Sequence, residues 1–347
     1  MGEGGGAAGA PIVGEGGAFG QHGLDTTPPM TTLPRALQRR SAALLASLSL
    51  IVGPMLAPLP ASLSPGLSPA RAAETEKVLR IGAIPDQKPE KLNRLYPLVA
   101  QELSQQLGVK VIYVPVVDYT AAVSAFRTGN LDLVWFGGLT GVQARLQKPG
   151  AKVLAQRDID VAFHSIFIAS TRSGLQPFTS QKGLATLKGK RFTFGSESST
   201  SGRLMPQYFL GQAGVKPGDF AGGAPGFSGS HDATIALVQS GTYDAGVVNE
   251  QVWRTSLHDG KANRAKVVAL WKSPGYPDYH WVAQPDLDRR FGAGFTAKLQ
   301  NTILAWRSND PEQKQILALF GAQQFTKANP AAYSRIERVG RQIGKIR

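Results

Sequence analysis

The sequence predicts an α/β protein of two lobes, each with a mainly parallel sheet flanked by helices, joined by a hinge of two chain crossings. Strand-like and helix-like segments alternate from residue 78 to residue 283. The 347 residues exceed what one small core usually contains. A second alternating unit is followed by helices of the first unit's type, which indicates an inserted lobe. We therefore expect residues 77–166 plus 272–347 to form lobe 1 and residues 167–271 to form lobe 2.

The first unit is predicted from hydrophobic periodicity and from the glycines that end its segments. Leucines at three- and four-residue spacing make 89–107 an amphipathic helix, which Gly108 ends. A run rich in β-branched residues makes 109–116 a strand. The other strands are predicted at 78–84, 131–136, 152–157 and 164–170, and the other helices at 119–128 and from 137 through 145.

The second unit repeats this alternation, and mostly helical sequence follows it. Its strands are predicted at 191–195, 245–249, 266–271 and 280–283. Helices are predicted at 201–213, 231–240, 250–257, 288–308, 311–320 and 329–346.

Residues 1–72 are predicted to be a disordered leader followed by a signal peptide. Residues 1–29 are rich in glycine and lack hydrophobic periodicity. Arg39 and Arg40 precede an apolar run at 41–57, and Ala-Arg-Ala ends at Ala72. A basic region, a short apolar run and a small-x-small site predict export to the periplasm with cleavage near Ala72.

Three alternatives for this leader remain open. The apolar run could be an uncleaved membrane anchor, although Gly53 and Pro54 interrupt it and it is short for a bilayer span. The two adjacent arginines could direct twin-arginine export rather than general secretion. Met30 could be the true first residue.

Composition favours an anionic partner and excludes thiol chemistry. The formal net charge is +14, and the chain has no cysteine, so disulfides and Cys-based metal sites are excluded. No nucleic-acid module pattern is present, and we expect no nucleic-acid partner. No HExxH, GxSxG or GxxxxGK[ST] motif occurs, so we predict no enzyme, no metal and no cofactor.

Two loops are candidate anion sites, one in each predicted lobe. Ser199, Thr200, Ser201 and Gly202 lie between a strand and a helix, where free N–H groups and hydroxyls can bind an anion. The alternative is a simple helix cap. A first-lobe loop has the same pattern, and a tight turn that needs glycine is its alternative. Its candidate residues are Gly137, Gly138 and Thr140.

Four segments carry a resemblance to a known family: RIGAIPDQKPEKLNRLYPLVAQELSQQLG, VDYTAAVSAFRTGNLDLVWFGGLTGVQA, STSGRLMP and GTYDAGVVNEQVWR. The sequence resembles the periplasmic phosphonate/phosphite-type (phosphate/phosphite/phosphonate) substrate-binding proteins of ABC transporters. IPDQKPEKLNRLY and RDIDVAFHSIFIAS look most like a branch labelled as selenate-binding. The resemblance implies a type II-like periplasmic-binding-protein fold and a non-catalytic receptor that closes on a small tetrahedral oxyanion.

The resemblance also implies particular ligand contacts. Tyr119 matches a tyrosine that donates its hydroxyl to the ligand, and His231 matches a ligand-binding histidine. Asp244 matches a carboxylate that touches the ligand, and Asn249 is a neutral donor beside it. A carboxylate in the site would favour a protonated phosphorus oxyanion over a fully ionised selenate.

Partners and rival functions complete the expectations. The resemblance implies an inner-membrane permease, which the protein would contact peripherally, and an ATPase subunit; we expect a monomer. One rival is a hydrolase that uses Ser199, His231 and Asp244 as a triad. Another is a receptor for an organic ligand such as a thiamine precursor, whose site would contain more stacking aromatic residues.

Overall fold

A computed structural model describes residues 76–347, and the predicted leader with its signal peptide lies outside the described residues. The chain forms twelve strands: β1 Val78–Ala83, β2 Lys110–Tyr113, β3 Leu133–Phe136, β4 Lys152–Val153, β5 Ala155–Arg157, β6 Ser165–Ser170, β7 Phe192–Phe194, β8 Gly226–Phe227, β9 Ala245–Asn249, β10 Val267–Lys272, β11 His280–Ala283 and β12 Phe325–Lys327. The α-helices are α1 Pro89–Leu107, α2 Tyr119–Arg127, α3 Gly138–Gln147, α4 Met205–Gln212, α5 His231–Ser240, α6 Glu250–His258, α7 Leu287–Phe291, α8 Phe295–Ala305, α9 Pro311–Phe320 and α10 Ser334–Gln342.

The strands form two five-stranded sheets and one small ladder. The first sheet has the order β2-β1-β3-β11-β4, and the second has the order β10-β6-β9-β7-β8. β5 and β12 pair separately. The α/β class and the helix-flanked sheets are confirmed, while each sheet is mixed. In the first sheet, β11 runs antiparallel to both its neighbours, and in the second, β6 does so.

Two short segments carry the chain between the two sheets. The first passes from Arg157 to Ser165, and the second returns from Lys272 to His280. The segments are bonded to each other: Phe163 N donates to Tyr276 O at 2.8 Å, and Tyr276 N donates to Phe163 O at 3.0 Å. The two crossings are therefore hydrogen-bonded to each other where they connect the sheets.

Four details differ from the sequence prediction. Residues 288–308 form two helices, because Gly292 and Gly294 adopt positive φ angles of 116° and 80° that interrupt a helix. Residues 152–157 divide into β4 and β5, which belong to different sheets. The two short strands β8 and β12 were not predicted, because two or three residues carry no readable alternation.

The last helix packs on elements from both halves of the chain. Tyr333, Ile336 and Val339 lie in one buried cluster with Leu139 of α3 and Met205 of α4. Gln143 Nε2 donates to Lys345 O at 2.8 Å. The C-terminal segment therefore contacts both α3 and α4. It connects the two halves of the chain, as the two crossings also do.

Candidate functional site

The loop after β7 presents small polar groups where a helix begins. Ser199 is the N-cap, and its Oγ accepts a hydrogen bond from Gly202 N at 2.9 Å. Residues 200–204 then form one π-helical turn that continues into α4. Ser201 Oγ is buried without a partner among the described residues. Ser199 is therefore the helix cap, while the Ser201 hydroxyl remains available for another hydrogen bond.

Gly202 is required by close approach. A Cβ on Gly202 would lie 2.9 Å from Ser199 Oγ and 3.0 Å from His231 Cε1. The absence of a side chain therefore lets the start of α5 approach the Ser-Thr-Ser loop.

The loop between β3 and α3 lies against the Ser-Thr-Ser loop. Leu139 N donates to Thr200 Oγ1 at 2.8 Å, and Gly138 N donates to Asp278 Oδ1 at 2.9 Å. A Cβ on Gly137 would lie 3.2 Å from Thr200 Oγ1. The structure thus brings the two predicted loops together, with the N–H groups of residues 138 and 139 bonded to Asp278 and Thr200 respectively.

Thr140 serves its own turn. Its hydroxyl is fully buried and donates to Gly137 O at 3.1 Å. The hydroxyl is thereby committed to the backbone, so Thr140 shapes the loop that carries the N–H donors.

Tyr119 and His231 border the same place. Tyr119 is buried, its Oη has no partner among the described residues, and the Ser199 side chain is its neighbour. His231 Nδ1 accepts from Asn249 N at 3.3 Å, which assigns the ring proton to Nε2. Burial lowers the pKa of His231 to about 3. His231 is therefore a neutral donor at physiological pH.

Asn249 ends β9 and joins this group. Its Oδ1 caps α6 by accepting from Val252 N, and its Nδ2 donates to Tyr279 Oη at 3.0 Å. His231 Nε2 lies 3.4 Å from the same oxygen. A hydroxyl that receives two donors is left to give its own proton, and Asp86 accepts it.

The sequence-based prediction missed three site residues: Asp86, Asp278 and Tyr279. All three are buried, with exposed fractions of 5%, 1% and 2%. Asp86 lies three residues past the end of β1, and Asp278 and Tyr279 lie directly before β11. Their positions beside strand ends were the only sign in the sequence that they belong to the site. Because β11 runs antiparallel to β3, the residues that precede β11 lie in the site.

The two carboxyl groups have unusual proton affinities. Burial raises the pKa of Asp278 to about 7, although the hydrogen bond from Gly138 N acts in the opposite direction. Burial likewise raises the pKa of Asp86 to about 6, opposed by the hydrogen bond from Tyr279 and by the charge of Arg157. Asp278 Oδ2 has no partner among the described residues.

Asp244 is placed elsewhere. It precedes β9, at the opposite end of that strand from Asn249. Its carboxylate accepts from Arg191 N at 2.8 Å and forms an ion pair with the Arg191 side chain at 2.7 Å. The hydrogen bond from Arg191 holds the pKa of Asp244 below its usual value. The structure therefore does not bring Asp244 to the other candidate residues. We call those residues the ligand-facing group: the two loops with Tyr119, His231, Asn249, Asp86, Asp278 and Tyr279.

The triad of the rival hydrolase is not assembled. His231 Nδ1 accepts a backbone N–H, so it cannot donate to a carboxylate in this arrangement. Asp244 is bonded to Arg191 at the far end of the strand. Ser199 Oγ caps its own helix turn.

The buried ion pair between Arg157 and Asp160 contacts Asp278 and Tyr279. Arg157 Nε and Nη2 each donate to Asp160 at 2.7 Å. The Arg157 guanidinium stacks 4.8 Å from the Tyr279 ring centroid. Asp160 O accepts from Asp278 N at 3.2 Å, and the Asp160 carboxylate accepts from Tyr279 N. This pair sets the position of both residues.

Two kinds of feature are absent from residues 76–347. No helix there is both long and apolar enough to cross a membrane. No three His, Cys, Asp or Glu side chains in that part of the chain converge as metal ligands.

Comparison with known proteins gives related sequences and structures. A probable ABC transporter phosphite binding protein PhnD1 from Prochlorococcus marinus (strain MIT 9301) is 54% identical over 271 residues, covering 78% of this chain and 91% of the relative. The phosphonates-binding periplasmic protein of Escherichia coli (strain K12) is 29% identical, covering 76% of each chain. The crystal structure of the Prochlorococcus protein in complex with methylphosphonate matches with a TM-score of 0.77, covering 78% of this chain and 100% of that one.

A family model also matches most of the described region. The model is described as ABC transporter, phosphonate, periplasmic substrate-binding protein, and it matches residues 81–333. The matched range contains both loops, both crossings and every residue of the ligand-facing group described above. The chain therefore belongs to the family of periplasmic substrate-binding proteins of phosphonate ABC transporters.

Proposed function

We propose that this protein is the periplasmic receptor of an ABC importer and binds a small phosphorus oxyanion, such as phosphite or a short alkylphosphonate, between its two loops. The relative at 54% identity is named for phosphite, and its solved structure contains methylphosphonate. The donors would be the hydroxyls of Tyr119 and Ser201, which have no partner among the described residues. The N–H groups of residues 138 and 139 and the Nε2–H of His231 would join them by exchanging their present partners Asp278, Thr200 and Tyr279 for the ligand.

Asp278 is the observation that carries the choice of ligand. Its free Oδ2 lies beside the N–H donors, in a buried place with no cation bonded to it. A carboxylate there repels a fully ionised dianion but accepts a hydrogen bond from a P–OH group. A phosphorus oxyanion still carries such a proton in part of its population at pH 6 to 7, since the second ionisation of a phosphate ester lies near pH 6. Sulfate and selenate have no proton to share at that pH.

Binding would also couple to closure. Thr200 and Gly138 follow strands of different sheets, β7 and β3, and bonds from Leu139 N to Thr200 and from His231 N to Asp86 O already join the two halves. A ligand that accepts from both loops at once stabilises this joined arrangement over an open one. The joined form would be the one that the permease recognises.

Calorimetry against a panel of oxyanions tests the proposal. We expect phosphite or methylphosphonate to bind at pH 7 at least about 100-fold more tightly than sulfate or selenate, which corresponds to about 2.7 kcal/mol. Phosphate and 2-aminoethylphosphonate rank the tolerance for larger substituents. Equal affinity for sulfate, or binding of an aromatic ligand in place of any oxyanion, would contradict the proposal.

Assembly and processing belong to the same proposal. A periplasmic receptor of an ABC importer works with a permease and an ATPase, and we propose that it does so as a monomer. The small-x-small pattern supports cleavage near Ala72. Mass spectrometry of the exported protein locates the new N-terminus, and light scattering gives its molar mass; an N-terminus before the apolar run or a stable dimer would contradict these two points.

A further inference from the structure

A second cavity lies outside the ligand-facing group. Its volume is about 530 Å³, and we call it the basic vestibule. The side chains that matter for its charge are Lys91, Arg94, Arg254, His258, Asp259 and Lys261. They come from α1 and α6 and from the turn after α6, and α9 closes the remaining side.

The basic vestibule lies beside the contact between the two halves of the protein. Lys88 N donates to Asp232 Oδ2 at 2.8 Å, and His231 N donates to Asp86 O at 3.0 Å. Lys91 follows within one helical turn, and Asp86 and Asp232 lie near enough to influence its charge. The cavity therefore opens at the seam that leads to the ligand-facing group.

Its cations are only partly neutralised. Lys261 forms an ion pair with Asp259 at 3.2 Å, and Asp86 and Asp232 lie near Lys91, which leaves Arg94 and Arg254 without a countercharge among the described residues. Within the described residues, Arg94 and Arg254 take part in no ion pair or side-chain hydrogen bond, and they come from different halves of the protein. Some surface arginines are paired, as Arg341 is with Glu337 at 2.8 Å; what distinguishes Arg94 and Arg254 is that they line one concavity together. An ordinary solvated face does not account for unpaired cations from separate helices around one concavity.

A concave surface of one sign concentrates field lines and speeds the arrival of small counter-ions. We propose that the basic vestibule is an outer, transient binding site for the anionic ligand, from which phosphite or an alkylphosphonate passes into the cleft as the halves close. This inference rests on the proposed function. Lys91 is the inner member of the site, because its Nζ is half-buried and bonded to Gln87.

Stopped-flow binding separates this outer site from the cleft. Trp135 stacks on Tyr279 at 5.8 Å, so its fluorescence can report occupancy of the cleft. The test variant is Arg94→Gln with Arg254→Gln in the full exported protein, and the probes are phosphite and methylphosphonate. We expect the association rate to fall about tenfold at low ionic strength, with the dissociation rate unchanged and a flatter dependence on salt.

Lys182→Gln with Lys327→Gln is the matched control. Both lysines are exposed, lie away from the vestibule and form no ion pair within the described residues. This control removes the same net charge and should leave the association rate within about twofold of wild type. An equal fall in both double variants, or an unchanged rate in the test variant, overturns the inference. Absence of any oxyanion binding by the wild-type protein overturns the proposed function instead.

Discussion

The two ends of the second sheet place carboxyl groups in opposite environments. At one end, Asp244 and Arg191 form a half-exposed ion pair that solvent can replace. At the other end, the buried amide of Asn249 lies with His231 and the Ser-Thr-Ser loop, and Asp278 faces them from the crossing without a cation. The hydrogen bond from Arg191 lowers the pKa of Asp244 at the first end, and burial raises the pKa of Asp278 at the second. The end with buried carboxyl groups and no fixed countercharge is the end that we propose binds the ligand.

The largest expected effect comes from Asp160→Asn, beneath the binding end. The change leaves the buried Arg157 guanidinium with a neutral partner, and breaking a buried ion pair costs about 3–5 kcal/mol. Urea denaturation measures the loss. Ligand affinity should also fall, because Asp160 holds Asp278 and Tyr279.

Asp286→Asn is the control for that change, since Asp286 pairs with Arg289 and Arg290 at the surface. It should leave both stability and affinity near wild type. An affinity unchanged by Asp160→Asn, in protein confirmed to be folded, would show that the pair does not position the site.

Asp278→Asn comes next and acts through pH. The folded-state pKa of Asp278 is raised to about 7, so the native state binds more protons than the unfolded state between about pH 4 and pH 7. Wild-type stability from this group is therefore present at low pH and lost as pH rises through 7. The variant should be more stable than wild type at pH 8, by at most about 4 kcal/mol, with no such gain at pH 4.

Ligand choice should change in the same variant. An amide does not repel a dianion, so sulfate should gain affinity at pH 8 while phosphite loses its acceptor. Thermal melts at both pH values and calorimetry at pH 8 measure the two effects. A variant that gains neither stability nor sulfate affinity at pH 8 would remove Asp278 from its assigned role.

Gly202→Ala should weaken binding more than folding. The added Cβ would press on Ser199 Oγ and His231 Cε1 at about 3 Å. We expect about a tenfold to 100-fold loss of affinity, which is about 1.4–2.7 kcal/mol. Gly211→Ala is the control, because a Cβ there meets nothing within 4 Å and alanine favours a helix. Equal affinities of the two variants would contradict the close-approach argument.

Asp244→Asn should have the smallest effect. A half-exposed ion pair contributes little, so the melting temperature should change by at most about 2 °C at pH 7, and ligand affinity should not change. The pKa of Asp244 is lowered, so its contribution is present above its unfolded value and is lost as pH falls through the folded value. A large loss of affinity in calorimetry would return Asp244 to the site.

Local sequence was enough for the elements and for the two loops. The leucine spacing of 89–107 predicted α1, and small residues between strand and helix predicted both the 137–140 and the 199–202 loops. These patterns are local, because a helix N-terminus with Ser, Thr or Gly has its geometry within a few residues. Gly292 and Gly294 also indicate where 288–308 divides, although the sequence pattern predicted one helix there.

Tertiary structure decided which side chains meet. The assignment of Asp244 followed the family resemblance, yet the five residues of β9 separate Asp244 from Asn249, and only the Asn249 end lies with the other candidate residues. Asp278 and Tyr279 enter the site because β11 returns antiparallel into the first sheet, a pairing that no local pattern specifies. The sequence by itself determined the fold class, the family and the position of the two loops that we propose bind the anion. Only the packed structure determined the buried carboxyl groups, their raised pKa values and the basic vestibule, because burial and cleft formation depend on contacts between residues far apart in the chain.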